Sequence, residues 1–224
     1  SAVQKNPKTY EHIDPEEVGN SRNIVVSDQA GQSNILSRLK SIGIEIKKND
    51  PKIKKLLEEV KDREFIGYSF DGADASFELL ARRLMGEIPR YILINEYDVT
   101  VKKNNAGKII SNAKALLEVD GKKILCEGQG NGPVNALDNA IRKNVNKLAK
   151  YSEYLKDLKL VDYKVRILNT GTEAVTRVSI ESTDSSGVNW FTIGVSPNII
   201  EASFKALVDS LDYKLFKDKA PASL

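Results

Sequence analysis

Between about residue 91 and residue 213 the same order of elements is written twice, and that repetition restricts the fold more than any other feature of the chain. Strands are expected at 91–103, 109–119 and 122–127, joined by the turn residues Asn104-Asn105-Ala106-Gly107 and Asp120-Gly121. A helix follows from about Pro133 to Lys150. The pattern then recurs, with strands at 158–168, 173–182 and 188–193 and a helix from about Asn198 to Leu211. An offset of 64 pairs Asp98 with Asp162, Val101 with Val165, Gly130 with Gly194 and Pro133 with Pro197. In the helices an offset of 63 pairs Leu137 with Ile200, Ile141 with Phe204, Val145 with Val208 and Leu148 with Leu211, all on the apolar stripe. Val161, Tyr163, Val165 and Ile167 alternate with Asp162, Lys164 and Arg166, giving one apolar and one wet face. A duplicated β-β-β-α unit of this kind buries its helices on one face of an antiparallel sheet, an α+β architecture.

The region before the repeats is helical. Ser33 or Asn34 can cap a helix through Ile35, Leu36 and Leu39 that Gly43 ends. Asp50-Pro51 starts a second, with Ile53, Leu56, Leu57 and Val60 along one face. Asp74 can cap a third that ends at Gly86, and Pro89 marks a boundary. The division expected is therefore 1–87 and 88–224, with repeats at about 91–150 and 158–213.

Several functions are hard to write with these residues. His12 is the one histidine and Cys126 the one cysteine, so an ordinary zinc site lacks ligands and a disulfide framework is excluded. Neither a G-x-S-x-G elbow nor a Walker A loop occurs. Thirty-four basic residues against 31 acidic ones are scattered without interleaved aromatics, which argues against nucleic acid. No apolar run reaches the roughly 18 residues of a membrane span, and the expected setting is the cytoplasm.

The stretch Gly128-Gln129-Gly130-Asn131-Gly132-Pro133 runs from a strand into a helix. Glycines let a ligand approach the backbone, and the free N–H groups of a helix start attract anions such as an amino-acid carboxylate. The competing reading is a tight turn that needs glycine for its geometry alone. Gly194-Val195-Ser196-Pro197-Asn198 offers a matching start. Two such ends could converge on a small amino-acid pocket, with Asn131, Asn135, Ser196 and Asn198 reading the head group and Val134, Ile167 and Ile199 the side chain. The alternative is that these are only caps and core. Trp190 and Cys126 read as core; Tyr10 and His12, in a proline-flanked segment, read as surface residues, the alternative being a proton donor or acceptor for a site elsewhere.

Specific strings then carry a resemblance. Residues 9–20, Thr-Tyr-Glu-His-Ile-Asp-Pro-Glu-Glu-Val-Gly-Asn, and Ser33-Asn34-Ile35-Leu36 resemble the linker of the 2-isopropylmalate, citramalate and homocitrate synthase family. Gly130-Asn131-Gly132-Pro133-Val134 is similar to that family's regulatory-domain signature. Residues 70–80, 162–167 and 194–203 resemble the citramalate synthase branch most. The resemblance covers essentially the whole chain. It implies an enzyme that condenses acetyl-CoA with a 2-oxo acid, here pyruvate, in a TIM barrel using a divalent metal. Neither barrel nor metal ligands stand in this sequence, and Ser1-Ala2-Val3 resembles the point just past the barrel's end. The expectation is thus a fragment inactive alone and without a cofactor of its own. The resemblance also implies that Tyr10 reaches into the barrel of a partner subunit, replacing the surface reading; it assigns nothing to His12. It implies a homodimer whose terminal domain binds isoleucine or leucine as effector. Carried onto matching positions, the effector residues are Gly130, Gly132, Asn135, Tyr163 and Ile167. Other readings are the same role in a leucine-sensing 2-isopropylmalate synthase or in homocitrate synthesis, a free-standing amino-acid-binding module, and a dimerisation device with a degenerate site.

Overall fold

The computed structural model describes residue 17 and residues 32–47, 49–89, 91–168 and 174–223, which fall into two compact units, Ser1–Phe65 and Ile66–Leu224. Tyr10, His12 and the strand-like run 23–27 lie outside the described residues.

In the first unit, α1 (Gln32–Ser41) and α2 (Pro51–Phe65) pack through Ile35, Leu39, Ile53, Leu56 and Val60, all fully buried. The Asp50 carboxylate accepts from Lys52 N at 2.9 Å, so the Asp-Pro start is capped as its sequence suggests. Gly43, at φ 76°, follows α1 and turns the chain out of the helix.

The second unit opens with α3 (Asp74–Met85), closed by Gly86 in the left-handed region at φ 75°. The first repeat is β1 (Leu93–Lys103), β2 (Ile109–Val119), β3 (Lys122–Gly130) and α4 (Pro133–Arg142), followed by a 3-10 turn, Val145–Tyr151, and the short α5 (Ser152–Leu155). The helix expected to reach Lys150 thus breaks after Arg142. The second repeat is β4 (Lys159–Ile167), β5 (Thr176–Thr183), β6 (Asn189–Ser196) and α6 (Ile199–Lys217). Each repeat forms its own antiparallel three-stranded sheet, in the orders β1-β2-β3 and β4-β5-β6. Alternation on the central strands explains the layering: Ser111, Ala113, Ala115, Leu117 and Val119 of β2 are buried beneath α4, and Thr176, Val178, Ile180 and Ser182 of β5 beneath α6.

Register corrects the repeat offset. Tyr97 pairs with Ala115 and Tyr163 with Ile180, and a bulge interrupts β1 between Ile94 and Glu96 and β4 between Leu160 and Asp162. First strands therefore correspond at 66, not 64. The third strands and helices agree. A Cβ on Gly128 would lie 2.6 Å from Ala136 O and 2.2 Å from Ala140 N; one on Gly194 would lie 2.0 Å from Ala202 O and 2.9 Å from Ala206 N. Each helix rests directly on a glycine of its third strand, and Ala136 and Ala140 stand 66 residues before Ala202 and Ala206. The physical cause is contact distance: only glycine opposite alanine lets helix and sheet backbones come this close.

The cores interleave. Phe204, Leu211 and Leu215 of α6 and Trp190 of β6 pack with Leu117, Cys126, Leu137 and Ile141 of the first repeat. Beside the second sheet, α3 is held by polar contacts: Ser76 Oγ accepts from Ile193 N (3.0 Å) and donates to Asp209 (2.9 Å), and Arg83 bridges Asp209 (2.9 Å) and Asp212 (2.8 Å) of α6. Among the described residues no helix is long and apolar enough to cross a membrane.

Candidate functional site

The start of α4 is built from a strand that ends in glycine and a helix that begins with proline. Gly132 is the N-cap and has no side chain to offer, and Pro133 at the first helical position brings no N–H. The N–H groups of Val134 and Asn135 are thus left without a side-chain cap. The Asn135 amide folds back: its Oδ1 accepts from Asn131 N at 3.2 Å and from Asn139 Nδ2 at 3.5 Å, while Asn139 Nδ2 donates to Gln129 O at 2.9 Å. A Cβ on Gly130 would lie 2.5 Å from both Ala136 N and Asn135 Oδ1. Gly130, Asn131, Gly132 and Asn135 therefore lie together at one helix start, and Gly130 is required by close approach.

The start of α6 is chemically different. Asn198 is its N-cap, and the Asn198 Oδ1 accepts from Ile200 N (2.8 Å) and Glu201 N (3.3 Å). Ser196 Oγ accepts from Asn198 N at 3.1 Å. The side chains of Ser196 and Asn198 are thus engaged in closing their own helix start, and the two starts are not equivalent as anion sites.

Tyr163 and Ile167 sit on β4. Tyr163 packs against Val178, Ile180, Ala202 and Ala206, and its hydroxyl shares a 2.7 Å hydrogen bond with Ser203. Burial raises its pKa, with the Ser203 bond pulling the other way. Ile167 is 70% exposed at the strand's end, paired with Thr176 and, beyond it, Ser196. The structure so gathers four of the eight expected residues at α4 and three, Ile167, Ser196 and Asn198, at the second sheet's end by α6; Tyr163 lies farther along β4.

Two residues were missed by the sequence reading. Tyr97 is the register partner of Tyr163 in the other repeat. It donates to Glu201 Oε2 (2.5 Å) and lies against Phe204 with ring centroids 4.3 Å apart, tying β1 to α6; burial and then the Glu201 bond push its phenol up. The matching strings Glu96-Tyr97 and Asp162-Tyr163 were the available signal. Ser111 is the other. It lies between Val101 and Gly130 in the sheet, is 0% exposed, and its Oγ has no hydrogen-bond partner among the described residues. No sequence pattern marks an unpaired hydroxyl.

Among the described residues no group of three or more His, Cys, Asp or Glu side chains is placed to hold a metal ion.

Comparison with known proteins agrees with this architecture. Residues 1–65 match the family described as homocitrate synthase post-HMGL domain-like. The chain is 49% identical over 222 residues to an (R)-citramalate synthase of Aquifex aeolicus, covering 98% of this chain and 41% of that protein. It is 45% identical over 222 residues to the (R)-citramalate synthase of Geobacter sulfurreducens, with the same coverage, and 44% identical to that of Synechocystis over 96% of this chain and 40% of the relative. The chain thus spans about two fifths of the length of the curated relatives it matches. Residues 71–215, which hold α3 and nearly all of both repeats, match the LeuA allosteric (dimerisation) domain, and the chain belongs to that family.

Proposed function

We propose that this chain is the regulatory and dimerising part of an enzyme condensing acetyl-CoA with a 2-oxo acid, an (R)-citramalate synthase acting on pyruvate, and that it binds isoleucine as a feedback inhibitor. The observation that carries the binding is the uncapped start of α4, where Gly132 leaves two N–H groups for an external acceptor. An amino-acid carboxylate supplies that acceptor. Exposed Val101 and partly buried Val134, at the same end of the first repeat, offer apolar surface for a branched side chain. The relatives' names support the reaction, and the family's description as a dimerisation domain supports a homodimer. In this reading Tyr10 serves a partner subunit's barrel, the metal belongs to that barrel, this chain alone is inactive, and the protein works in the cytoplasm. The effector inhibits by binding one conformational state better than another, and the first unit carries that preference towards the catalytic part.

Isothermal titration with isoleucine, leucine, valine and lysine tests the reading. Saturable binding of isoleucine, weaker for leucine, supports it; preference for leucine moves the pathway to 2-isopropylmalate synthesis; silence for all four leaves a dimerisation domain and refutes the sensing role. The site itself is tested by Gly132→Asp. No atom lies within 4 Å of a Cβ there, so the variant folds, and its carboxylate caps Val134 and Asn135 from within. Effector affinity should fall at least tenfold without loss of thermal stability; unchanged affinity would move the site elsewhere.

A further inference from the structure

Ser111 lies on the face of β2 covered by α4, in a run where Ser111, Ala113, Ala115 and Leu117 are all buried. Its hydroxyl is enclosed yet has no partner among the described residues, a condition proteins rarely keep without a use for the group. One neighbour in the sheet is Val101, 53% exposed, and the other is Gly130, whose missing Cβ leaves room taken by the Asn135 amide and the backbone N of Ala136. Asn135 is exposed and holds Asn131 N by a 3.2 Å bond and Asn139 by one of 3.5 Å, both long. An sp² oxygen that accepts a backbone N–H beside a helix start does what a carboxylate oxygen would do there. Rotation of this side chain outwards would free Asn131 N and open space beside Gly130, the sheet partner of Ser111.

The second repeat is built differently around its own buried hydroxyl residue. Thr176 stands where Ser111 does, Ser196 where Gly130 does, and Asn198 caps the helix where Gly132 leaves it open. Resting on the amino-acid-binding reading above, we propose that the Ser111 hydroxyl is a ligand-binding contact. It donates to the ligand's carboxylate once Asn135 has swung away, so that each chain holds one such site, at α4, and none at α6.

The test is titration of the purified chain and its Ser111→Ala variant with isoleucine, or with whichever of leucine, valine and lysine the wild type binds best, alongside thermal unfolding. The expected result is one ligand per chain, at least a tenfold weaker affinity in Ser111→Ala, and a ligand-free Tm equal to or above that of the wild type, since an unpaired hydroxyl has been removed. Ser111→Cys fills nearly the same space with a poor donor and should lose affinity likewise. Equal affinity in a folded variant overturns the role of Ser111 while leaving the sensing function intact. Two ligands per chain overturn the assignment to α4 alone. No binding by the wild type would remove the sensing reading and this inference with it.

Discussion

Asp212 on α6 makes a pH-dependent contribution whose sign can be worked out. Its side chain is 15% exposed; Oδ2 accepts from Arg83 Nη2 at 2.8 Å, and Oδ1 is buried without a hydrogen-bond partner among the described residues. The same guanidinium also serves Asp209 at 2.9 Å, and Tyr91 and Tyr151 are close enough for Asp212 to raise their phenols. Burial pushes the Asp212 carboxyl up, Arg83 pulls it down and the Asp209 charge pushes it up again, leaving it at about 6. An unfolded aspartate titrates near ~3.9, so the gap of roughly two units corresponds to about 3 kcal/mol. Because the folded value is the higher one, this stability is fully present below about pH 4 and lost as pH rises through about 6. Asp212→Asn keeps the shape and cannot ionise. It should match the wild type near ~pH 4 and exceed it by up to about 3 kcal/mol near ~pH 7.5, a large part of a typical domain's stability. Urea unfolding of both chains at the two pH values, followed by circular dichroism, measures the difference directly. A variant less stable than the wild type at the higher pH would show that the Arg83 pair outweighs burial, and the reasoning would fail.

Two further substitutions probe the fold. Gly194→Ala would place a methyl 2.0 Å from Ala202 O, and Gly128→Ala one 2.2 Å from Ala140 N. Each should cost about 1–3 kcal/mol or more in urea unfolding, while Gly132→Ala, with open space around it, serves as the control. Asp184→Asn has the opposite pH sign to Asp212→Asn. Burial raises the Asp184 carboxyl, but Lys214 and Lys217, each 2.7 Å away, hold it well below the usual range. Its stability is present above about pH 4 and lost below. The substitution takes one carboxylate from Lys214, which is 4% exposed but keeps Asp157 and Asp218, and should cost about 1.5–3 kcal/mol at neutral pH and progressively less in acid.

Hydrophobic periodicity made the α+β architecture readable, and proline at the first helical position the helix starts at Pro51 and Pro133, because these depend on neighbours along the chain. The repeat offset was misread for a local reason. Gly130 with Pro133 and Gly194 with Pro197 look alike, yet Gly194 does the work of Gly128, and Asn198 that of Gly132. Glu96-Tyr97-x-Val99-x-Val101 against Asp162-Tyr163-x-Val165-x-Ile167 carried the right offset all along. Different turn lengths, which set the middle strands at 65, obscured it downstream. The candidate site was half legible. Glycines before a proline mark a helix start open to an anion, but whether Asn198 caps its helix or faces a ligand is decided by φ, ψ and distance. Ser111 becomes notable only once β2 is paired with both neighbours and its hydroxyl is left without one.

The unequal helix starts also bear on how a signal could leave this domain. Duplication alone would predict two sites and two equivalent responses. Instead the second repeat is fastened. Asn198 closes its helix, Ser76 binds the edge of β6, and Arg83 joins α3 to Asp209 and Asp212 on α6. The first repeat has an open helix start above an unpaired hydroxyl. Yet Tyr97 of that repeat reaches Glu201, and Phe204 lies in its core, so α6 is gripped from the first repeat near one end and by α3 nearer the other. A ligand that reorders the start of α4 acts beside a helix that α3 also holds, and α3 is the element that follows the first unit in the chain. Weakening the α3 contacts, as with Arg83→Met, should leave effector affinity within a few-fold of wild type yet loosen α3 in hydrogen exchange whether or not effector is bound. If effector still protected the α3 amides in that variant as it does in the wild type, the path through Arg83 would be refuted.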